Sequence, residues 1–307
     1  MEEKKEKQAG LEFPSQATPA ATPRESAPLK VNKPVNVLKA MLNAPTVQEQ
    51  FKNALGNNKD MFVASLVDLY TGDPMLQKCA PQKVISEALR AATMKLPLNK
   101  ALGFSYIVVY NNSVKNADGT WSRVPTPTFI PGYKGYIQLA MRTGQYKTIN
   151  ADVVYEGELT SIDKLSGEID FGGERKSDKI VGYFCYFRLV NGFAKTLFMS
   201  VDDMATYAKR YSPSVGRATT VEQLKQMAQE TAASKRVGWE GNFTDMAIKT
   251  VIRRLLSKYG YLSVEMQNAL AADIIASGET RDELVYDKAN ADTVDFEDAS
   301  FEEVDPA

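Results

Sequence analysis

The chain has 307 residues, 44% hydrophobic and 24% charged, which is enough to bury a sizeable core in one large domain or two. No apolar run approaches the roughly 20 residues that span a bilayer, and no apolar segment follows the charged N-terminus, so we expect a soluble protein inside the cell. The net charge is −1, and the absence of histidine excludes His-assisted triads and zinc hydrolases that depend on imidazole.

The charge is divided unevenly along the chain. Residues 279–307 contain eleven acidic side chains against two cations, Arg281 and Lys288, which gives that segment a net charge of −9. Residues 1–278 therefore carry +8. A basic body with an acidic tail predicts a polyanionic ligand, and the tail is then a competitor for that ligand or a docking peptide for a partner. A merely solubilising tail is the alternative.

The N-terminal third begins with a segment that we expect to be disordered. Residues 1–34 are charged and then rich in proline, alanine, serine and threonine, so they cannot bury enough apolar surface to offset their ordering entropy. Helices follow this arm. A capping box of Thr46 and Glu49 predicts one helix start, and apolar spacing predicts further helices over 59–70 and 81–95.

The hydrophobic period then changes to that of strands. FSYIVVYNN and RVPTPTFI flank an Asp-Gly turn and predict a hairpin, which is followed by a helix at 133–143. Further strands are predicted at 147–155, 168–171, 180–190 and 193–199, before helices that continue to about residue 276. The sequence predicts an α+β fold: N-terminal helices, a largely antiparallel sheet interrupted by one helix, and C-terminal helices.

The interrupting helix combines a polar column with a glycine. Lys134, Gln138 and Arg142 stand four residues apart on one face, whereas most other positions are apolar. Gly135 lies beside the first lysine, although glycine destabilises a helix interior. This pattern needs an explanation in function or in packing.

A second cationic helix is predicted in NFTDMAIKTVIRRLLSKYG. One face is an apolar stripe, and Lys249, Arg253, Arg254 and Lys258 lie on either side of the outward face. A solvated helix face is the alternative interpretation. Further cations precede this helix, and YAKRYSPSVGRATT interleaves tyrosines with them, as binding of phosphates and unpaired bases requires. These cations are Lys209, Arg210, Arg217, Lys235 and Arg236.

Motifs for cofactors are absent from the sequence. It contains no G-x-x-x-x-G-K-[ST] loop and no G-x-G-x-x-G after a strand, so we expect neither ATP nor a dinucleotide. Cys79 and Cys185 give no paired-ligand spacing, so we expect two buried apolar residues and no structural metal. One enzymatic alternative is a magnesium-dependent nuclease, because Asp163, Glu174 and Lys176 have D…E-x-K spacing in a charged loop.

The segment TPTFIPGYKGYIQLAMRTGQYKTINADVVYEGE resembles the signature of the RecT family of phage single-strand annealing recombinases, and LRAATMKLPLNKALGFSYIVVYNN before it resembles the family too. The likeness extends from about residue 50 to about 270. It implies a RecT/Redβ-like annealing fold and ATP-independent binding of single-stranded DNA. It also implies pairing of complementary strands through an annealed duplex intermediate, and assembly into homo-oligomeric rings or helical filaments.

The resemblance also implies a cellular context. It indicates a phage or prophage protein in the cytoplasm of the bacterial host, a stoichiometric annealing protein without enzymatic activity or a membrane partner. A phage exonuclease and the host single-strand-binding protein are the implied partners. We expect a disordered arm at 1–34, an annealing core at 35–278 and an acidic, disordered tail at 279–307.

We expect the two cationic helices to line one groove that grips the sugar-phosphate backbone and leaves base edges free. The polar column would form its floor, with Gly132 and Gly135 letting helix amides approach a phosphate. A structural filament protein whose cations contact neighbouring subunits is a second alternative. The candidate DNA-binding residues are Lys134, Gln138, Arg142, Lys209, Arg210, Arg217, Lys235, Arg236, Lys249, Arg253, Arg254 and Lys258.

Overall fold

The computed structural model describes residues 34–115, 118–212, 214–230 and 238–277. The predicted α+β class is confirmed, with helices first, antiparallel strands on either side of one helix, and helices last. Apart from Pro34, the predicted arm lies outside the described residues, and so does the acidic tail. The helices are α1 (Pro34–Leu42), α2 (Pro45–Leu55), α3 (Lys59–Gly72), α4 (Pro81–Thr93), α5 (Tyr133–Arg142), α6 (Val201–Tyr211), α7 (Val221–Met227), α8 (Phe243–Tyr259) and α9 (Val264–Ser277). The strands are β1 (Ser105–Lys115), β2 (Trp121–Pro131), β3 (Tyr146–Tyr155), β4 (Ser161–Ile162), β5 (Ile169–Asp170), β6 (Ile180–Leu189) and β7 (Ala194–Ser200).

Strands β1 and β2 form the predicted hairpin, in one continuous antiparallel register from Ser105 opposite Pro131 to Lys115 opposite Trp121. Asp118 closes the turn, because its carboxylate accepts a hydrogen bond of 2.9 Å from the amide of Thr120. The base of the hairpin packs against α4 and α9, whereas its outer end is exposed.

The second sheet has the order β3-β6-β7, with β6 in the centre and both pairings antiparallel. The predicted Asn-Gly turn joins β6 to β7, and Gly192 has the positive φ of +92° that such turns require. Helix α8 packs across all three strands. Both cysteines are buried and free, as predicted, and burial raises the pKa of the Cys185 thiol to about 12.

Side-chain caps begin three of the described helices, α6, α7 and α8. Ser200 caps α6, and Thr220 with Gln223 forms the predicted capping box of α7. The predicted box of Thr46 and Glu49 is wrong. Helix α2 begins two residues earlier, at Pro45 with Ala44 as its N-cap, because the fixed φ of proline suits a first helical position, and this places Thr46 inside the first turn.

The two glycines at the start of α5 let another backbone segment pass against the helix. The amide of Gly132 donates to the carbonyl oxygen of Phe104 over 2.9 Å. A Cβ on Gly132 would lie 2.1 Å from the carbonyl oxygen of Gly103, and one on Gly135 would lie 2.2 Å from that of Phe104. The expectation that these glycines open the helix to a phosphate is therefore wrong, because the backbone of residues 103–104 fills the space.

The side chain of Arg142 donates hydrogen bonds to backbone carbonyls just after the end of α4. Its guanidinium donates to the carbonyl oxygens of Met94 and Lys95 over 3.0 and 3.1 Å. Carbonyls at the end of a helix lack partners within the helix and carry partial negative charge, which a cation stabilises. Arg142 thus ties α5 to α4 instead of forming the predicted floor of a DNA groove.

We predict that Gly135→Ala destabilises the protein by about 3 kcal/mol, because the new methyl group meets a backbone carbonyl that cannot move alone. Chemical denaturation measures this change. Gly72→Ala is the matched control, since nothing lies within 4 Å of the added Cβ at this other helical glycine. Equal midpoints for the two variants would contradict the close approach of residues 103–104 to α5.

We predict that Arg142→Ala lowers the free energy of unfolding by about 1 to 3 kcal/mol, because two terminal carbonyls of α4 lose a charged donor. Denaturation of Arg142→Ala beside Lys258→Ala checks this, since Lys258 is an exposed cation near the other end of the core helices. The capping role would be contradicted if both variants unfolded at the wild-type midpoint.

Candidate functional site

A cavity of about 550 Å³ lies between the β1–β2 hairpin, the start of α5, the end of α6, and helices α8 and α9. Alternation along β1 places Tyr106, Val108 and Tyr110 on one face of the hairpin, towards the cavity. We call it the aromatic cavity, because six aromatic side chains line it: Tyr106, Tyr110, Tyr133, Tyr207, Tyr211 and Trp239.

A buried ion cluster forms one wall of the aromatic cavity. Nζ of Lys249 lies 2.5 Å from one carboxylate oxygen of Asp273, and the guanidinium of Arg253 lies 3.4 Å from the other. Arg253 also donates a hydrogen bond to the hydroxyl of Tyr207. Lys249 and Arg253 are only 7% and 4% exposed, so Asp273, itself 4% exposed, offsets the cost of burying their charges.

The expected outward position of Lys249 and Arg253 is wrong. Helix α8 packs against β3, β6 and β7 and also against α5, so neither residue lies on a solvated face. Both residues, one turn apart on α8, line the aromatic cavity instead. Their partner Asp273 belongs to α9 and lies 20 or more positions further along the chain.

Three further cations contact tyrosine rings of the aromatic cavity. Lys134 Nζ lies 5.8 Å from the ring centre of Tyr133, which lies at the start of α5. The guanidinium carbon of Arg210 lies 5.0 Å from the ring centre of Tyr211. That of Arg254 lies 5.4 Å from the ring centre of Tyr207. Such contacts are cation–π interactions, which orient both groups.

Five of the predicted cations therefore either line the aromatic cavity, as Lys249 and Arg253 do, or contact the ring of a tyrosine that lines it. Two carboxylates, Asp245 and Asp273, also line it. These seven side chains together carry a net charge of +3. The cations are Lys134, Arg210, Lys249, Arg253 and Arg254.

Other predicted cations lie elsewhere. Nζ of Lys209 donates to the carbonyl oxygens of Gly216 and Arg217 over 3.1 and 2.9 Å, and so closes the loop after α6. Lys258 contacts the ring of Tyr259 at the far end of α8. Gln138, on α5, and Arg217 are not among the residues that line the cavity. Lys235 and Arg236 lie outside the described residues.

Three tyrosines of the aromatic cavity, Tyr106, Tyr110 and Tyr133, have raised pKa values and are neutral near pH 7. Burial raises the pKa of Tyr106 and Tyr133 above the ordinary value, and the nearby carboxylate of Asp245 raises both further. Burial and then Asp273 raise the pKa of Tyr110. The phenol rings therefore present no negative charge that would repel a phosphate.

Several residues of the cavity do not stand out in the sequence. Tyr106 and Tyr110 are four apart in a strand, and this even spacing is the local signal that both share a face. Tyr133 follows Gly132 at the start of α5, is half-buried and lines the cavity. Trp239 and Asp273 carry no local signal, because their roles depend on contacts between distant segments.

The residues of the nuclease alternative lie apart from the aromatic cavity. The carboxylate of Asp163 accepts hydrogen bonds from the amide of Leu165 and the hydroxyl of Ser166, which closes the turn after β4 and lowers the pKa of Asp163. Glu174 and Lys176 are exposed in the segment after β5. Within the part of the chain that the structure describes, no three or more cysteine, aspartate and glutamate side chains are grouped so as to hold a metal ion.

None of the helices in the described ranges combines the length and the apolar character needed to cross a bilayer.

Comparison with known proteins places these features in a family. The model of the RecT family matches residues 60–287, from α3 through α9 and beyond. The chain is 36% identical over 271 residues to the uncharacterized protein YqaK of Bacillus subtilis strain 168, which covers 87% of this chain and 82% of that protein. It is 27% identical over 240 residues to Protein RecT of Escherichia coli K12, and this match covers 76% of this chain and 79% of that protein. The chain therefore belongs to the RecT family, and this membership implies single-strand annealing in recombination.

Proposed function

We propose that this protein binds single-stranded DNA in the aromatic cavity and anneals complementary strands without ATP. Membership of the RecT family already implies binding of single-stranded DNA and self-association. The observation that supports the location is one cavity lined by six aromatic rings and two cations, with three more cations in contact with its tyrosine rings. Flat rings stack on any base and cations hold the phosphates, so the combination suits binding without sequence preference.

The cations differ in their expected roles. Lys134 and Arg210 are exposed, so we expect both to contact phosphates directly. Lys249 and Arg253 are buried with Asp273, so we expect them to supply positive potential at the base of the cavity and to hold the Tyr207 hydroxyl in place.

The size of the aromatic cavity supports a role for assembly. A cavity of about 550 Å³ is in the range of sites for small ligands, so it holds only a short stretch of a strand. A longer strand must continue over further subunits. We therefore propose that the protein assembles along DNA as a homo-oligomeric ring or filament, so that each protomer contributes one such site.

We also propose that the protein acts stoichiometrically and does not hydrolyse ATP or DNA. Duplex formation releases about 1.4 kcal/mol per base-pair step, so pairing itself supplies the driving force once two strands are aligned. The protein then has to neutralise phosphate repulsion and keep bases unpaired until they meet. A phage exonuclease that exposes the strand and the host single-strand-binding protein are the partners that this activity requires in a phage or prophage setting.

We predict that Lys134→Ala and Arg210→Ala each weaken binding of single-stranded oligonucleotides about two- to fivefold, equally for all base sequences, because each removes one phosphate contact. Fluorescence anisotropy with a thymidine oligomer and a mixed-sequence oligomer measures the effect. Lys258→Ala is the matched control, since this exposed cation contacts Tyr259 away from the cavity. A loss as large in the control, or a loss limited to one sequence, would refute the assignment.

We predict a salt dependence set by the net charge of +3 of the side chains in and beside the cavity. Neutralising about three phosphates of a single strand gives a slope of about −2 in log affinity against log salt, or roughly a 20-fold loss between 50 and 200 mM. Titrations at four salt concentrations measure the slope. A nearly flat plot would show that stacking or base recognition, and not phosphate contact, supplies the affinity.

A further inference from the structure

We propose that residues 279–307 of this same chain occupy the aromatic cavity when DNA is absent, as an internal polyanion that single-stranded DNA must displace. The inference rests on the proposed function of the cavity and adds a regulation of that site.

The segment follows α9, whose last turns line the aromatic cavity. Asp273 and Ala276 of α9 both line the cavity, and Glu279 follows only three residues after Ala276. A polypeptide spans at most about 3.5 Å per residue, so Asp282 and Glu283 lie within roughly 25 Å of Ala276 on any path. The acidic residues that follow α9 are therefore tethered close enough to reach the cavity.

The composition of the segment complements the cavity. Its eleven acidic side chains against two cations give a net charge of −9, whereas the charged groups of the cavity carry +3. Tyr286, Phe296 and Phe301 are interspersed among the acids. Negative charge interrupted by flat rings is also the chemistry of a single DNA strand, so the same cations and tyrosines suit both ligands.

The cavity already binds a carboxylate from this end of the chain. Lys249 and Arg253 donate to the two carboxylate oxygens of Asp273, over 2.5 and 3.4 Å. Lysine and guanidinium groups bind carboxylates and phosphates with the same donor atoms. The carboxylates that follow α9 can therefore meet the exposed cations Lys134 and Arg210 as phosphates would.

Tethering makes even a weak contact effective. A segment joined directly to its site has an effective concentration in the millimolar range, so a contact with a Kd of about 0.1 mM would occupy the cavity in most molecules. Such occupancy lowers the apparent affinity for DNA about tenfold. Because the contact is ionic, it weakens as salt rises.

The test uses the full chain with all eleven acids of residues 279–307 changed to asparagine or glutamine. We expect this neutral-tail protein to bind a thymidine oligomer about tenfold more tightly than the wild type at 50 mM salt, with little difference at 500 mM. A second full-length variant, Phe296→Ala with Phe301→Ala, keeps the charge and removes two rings. We expect it to bind more tightly than the wild type but less tightly than the neutral-tail protein.

A labelled peptide of residues 279–307 then locates the contact. We expect it to bind the neutral-tail protein at 50 mM salt and to be released by the thymidine oligomer. Lys134→Ala and Arg210→Ala in the neutral-tail protein should weaken peptide binding, whereas Lys258→Ala should not.

Equal DNA affinity of the wild-type and neutral-tail proteins would overturn the inference, and so would a bound peptide that DNA does not release, since the segment would then lie on another surface. A failure of the proposed function gives a different result. In that case neither protein binds the oligomer. The effect of Lys134→Ala and Arg210→Ala on peptide binding still shows whether the cavity binds the segment.

Discussion

The buried contact of Lys249 and Arg253 with Asp273 is the constraint on which the cavity depends. Helix α8 is covered by three strands and by α5, so its two cations need a partner from another element. Removal of the Asp273 carboxylate would leave two neighbouring like charges buried without it, at a cost of about 3 to 5 kcal/mol. The contact therefore links α9 to α8 through side chains that line the cavity, and Arg253 also holds the hydroxyl of Tyr207.

Local patterns predicted the elements because their causes are local. Apolar period, Asp-Gly and Asn-Gly turns and the caps of α6 and α7 all depend on residues within a few positions of one another. The failed capping box of Thr46 is also local, since the fixed φ of Pro45 started α2 earlier. Contacts over long sequence separations decided the rest. Arg142 meets carbonyls 47 and 48 residues before it, and no local pattern shows that they lack partners.

The same distinction explains how much of the site could be foreseen. Cationic stretches were visible in the sequence, and five of their members line one cavity or contact the tyrosine rings that line it. Their environment was not visible: the expected outward face of α8 is buried, because the compensating acid lies on the next helix. Gly135, beside Lys134, suggested that a ligand approaches the helix. In the structure the backbone of residues 103–104 occupies the space next to this glycine. Membership of the RecT family supports the proposed function. The structure shows which cations and aromatic rings lie near one another around the cavity.

The close approach of residues 103–104 to α5 joins two sides of the cavity. Strand β1 begins at Ser105, directly after this segment, and the hydrogen bond from Gly132 to Phe104 joins it to the start of α5. Tyr106 and Lys134 both lie beside Gly103, so a tyrosine that lines the cavity and a cation from α5 share one backbone neighbour. A substitution that separates residues 103–104 from α5 would therefore change the positions of both side chains at once.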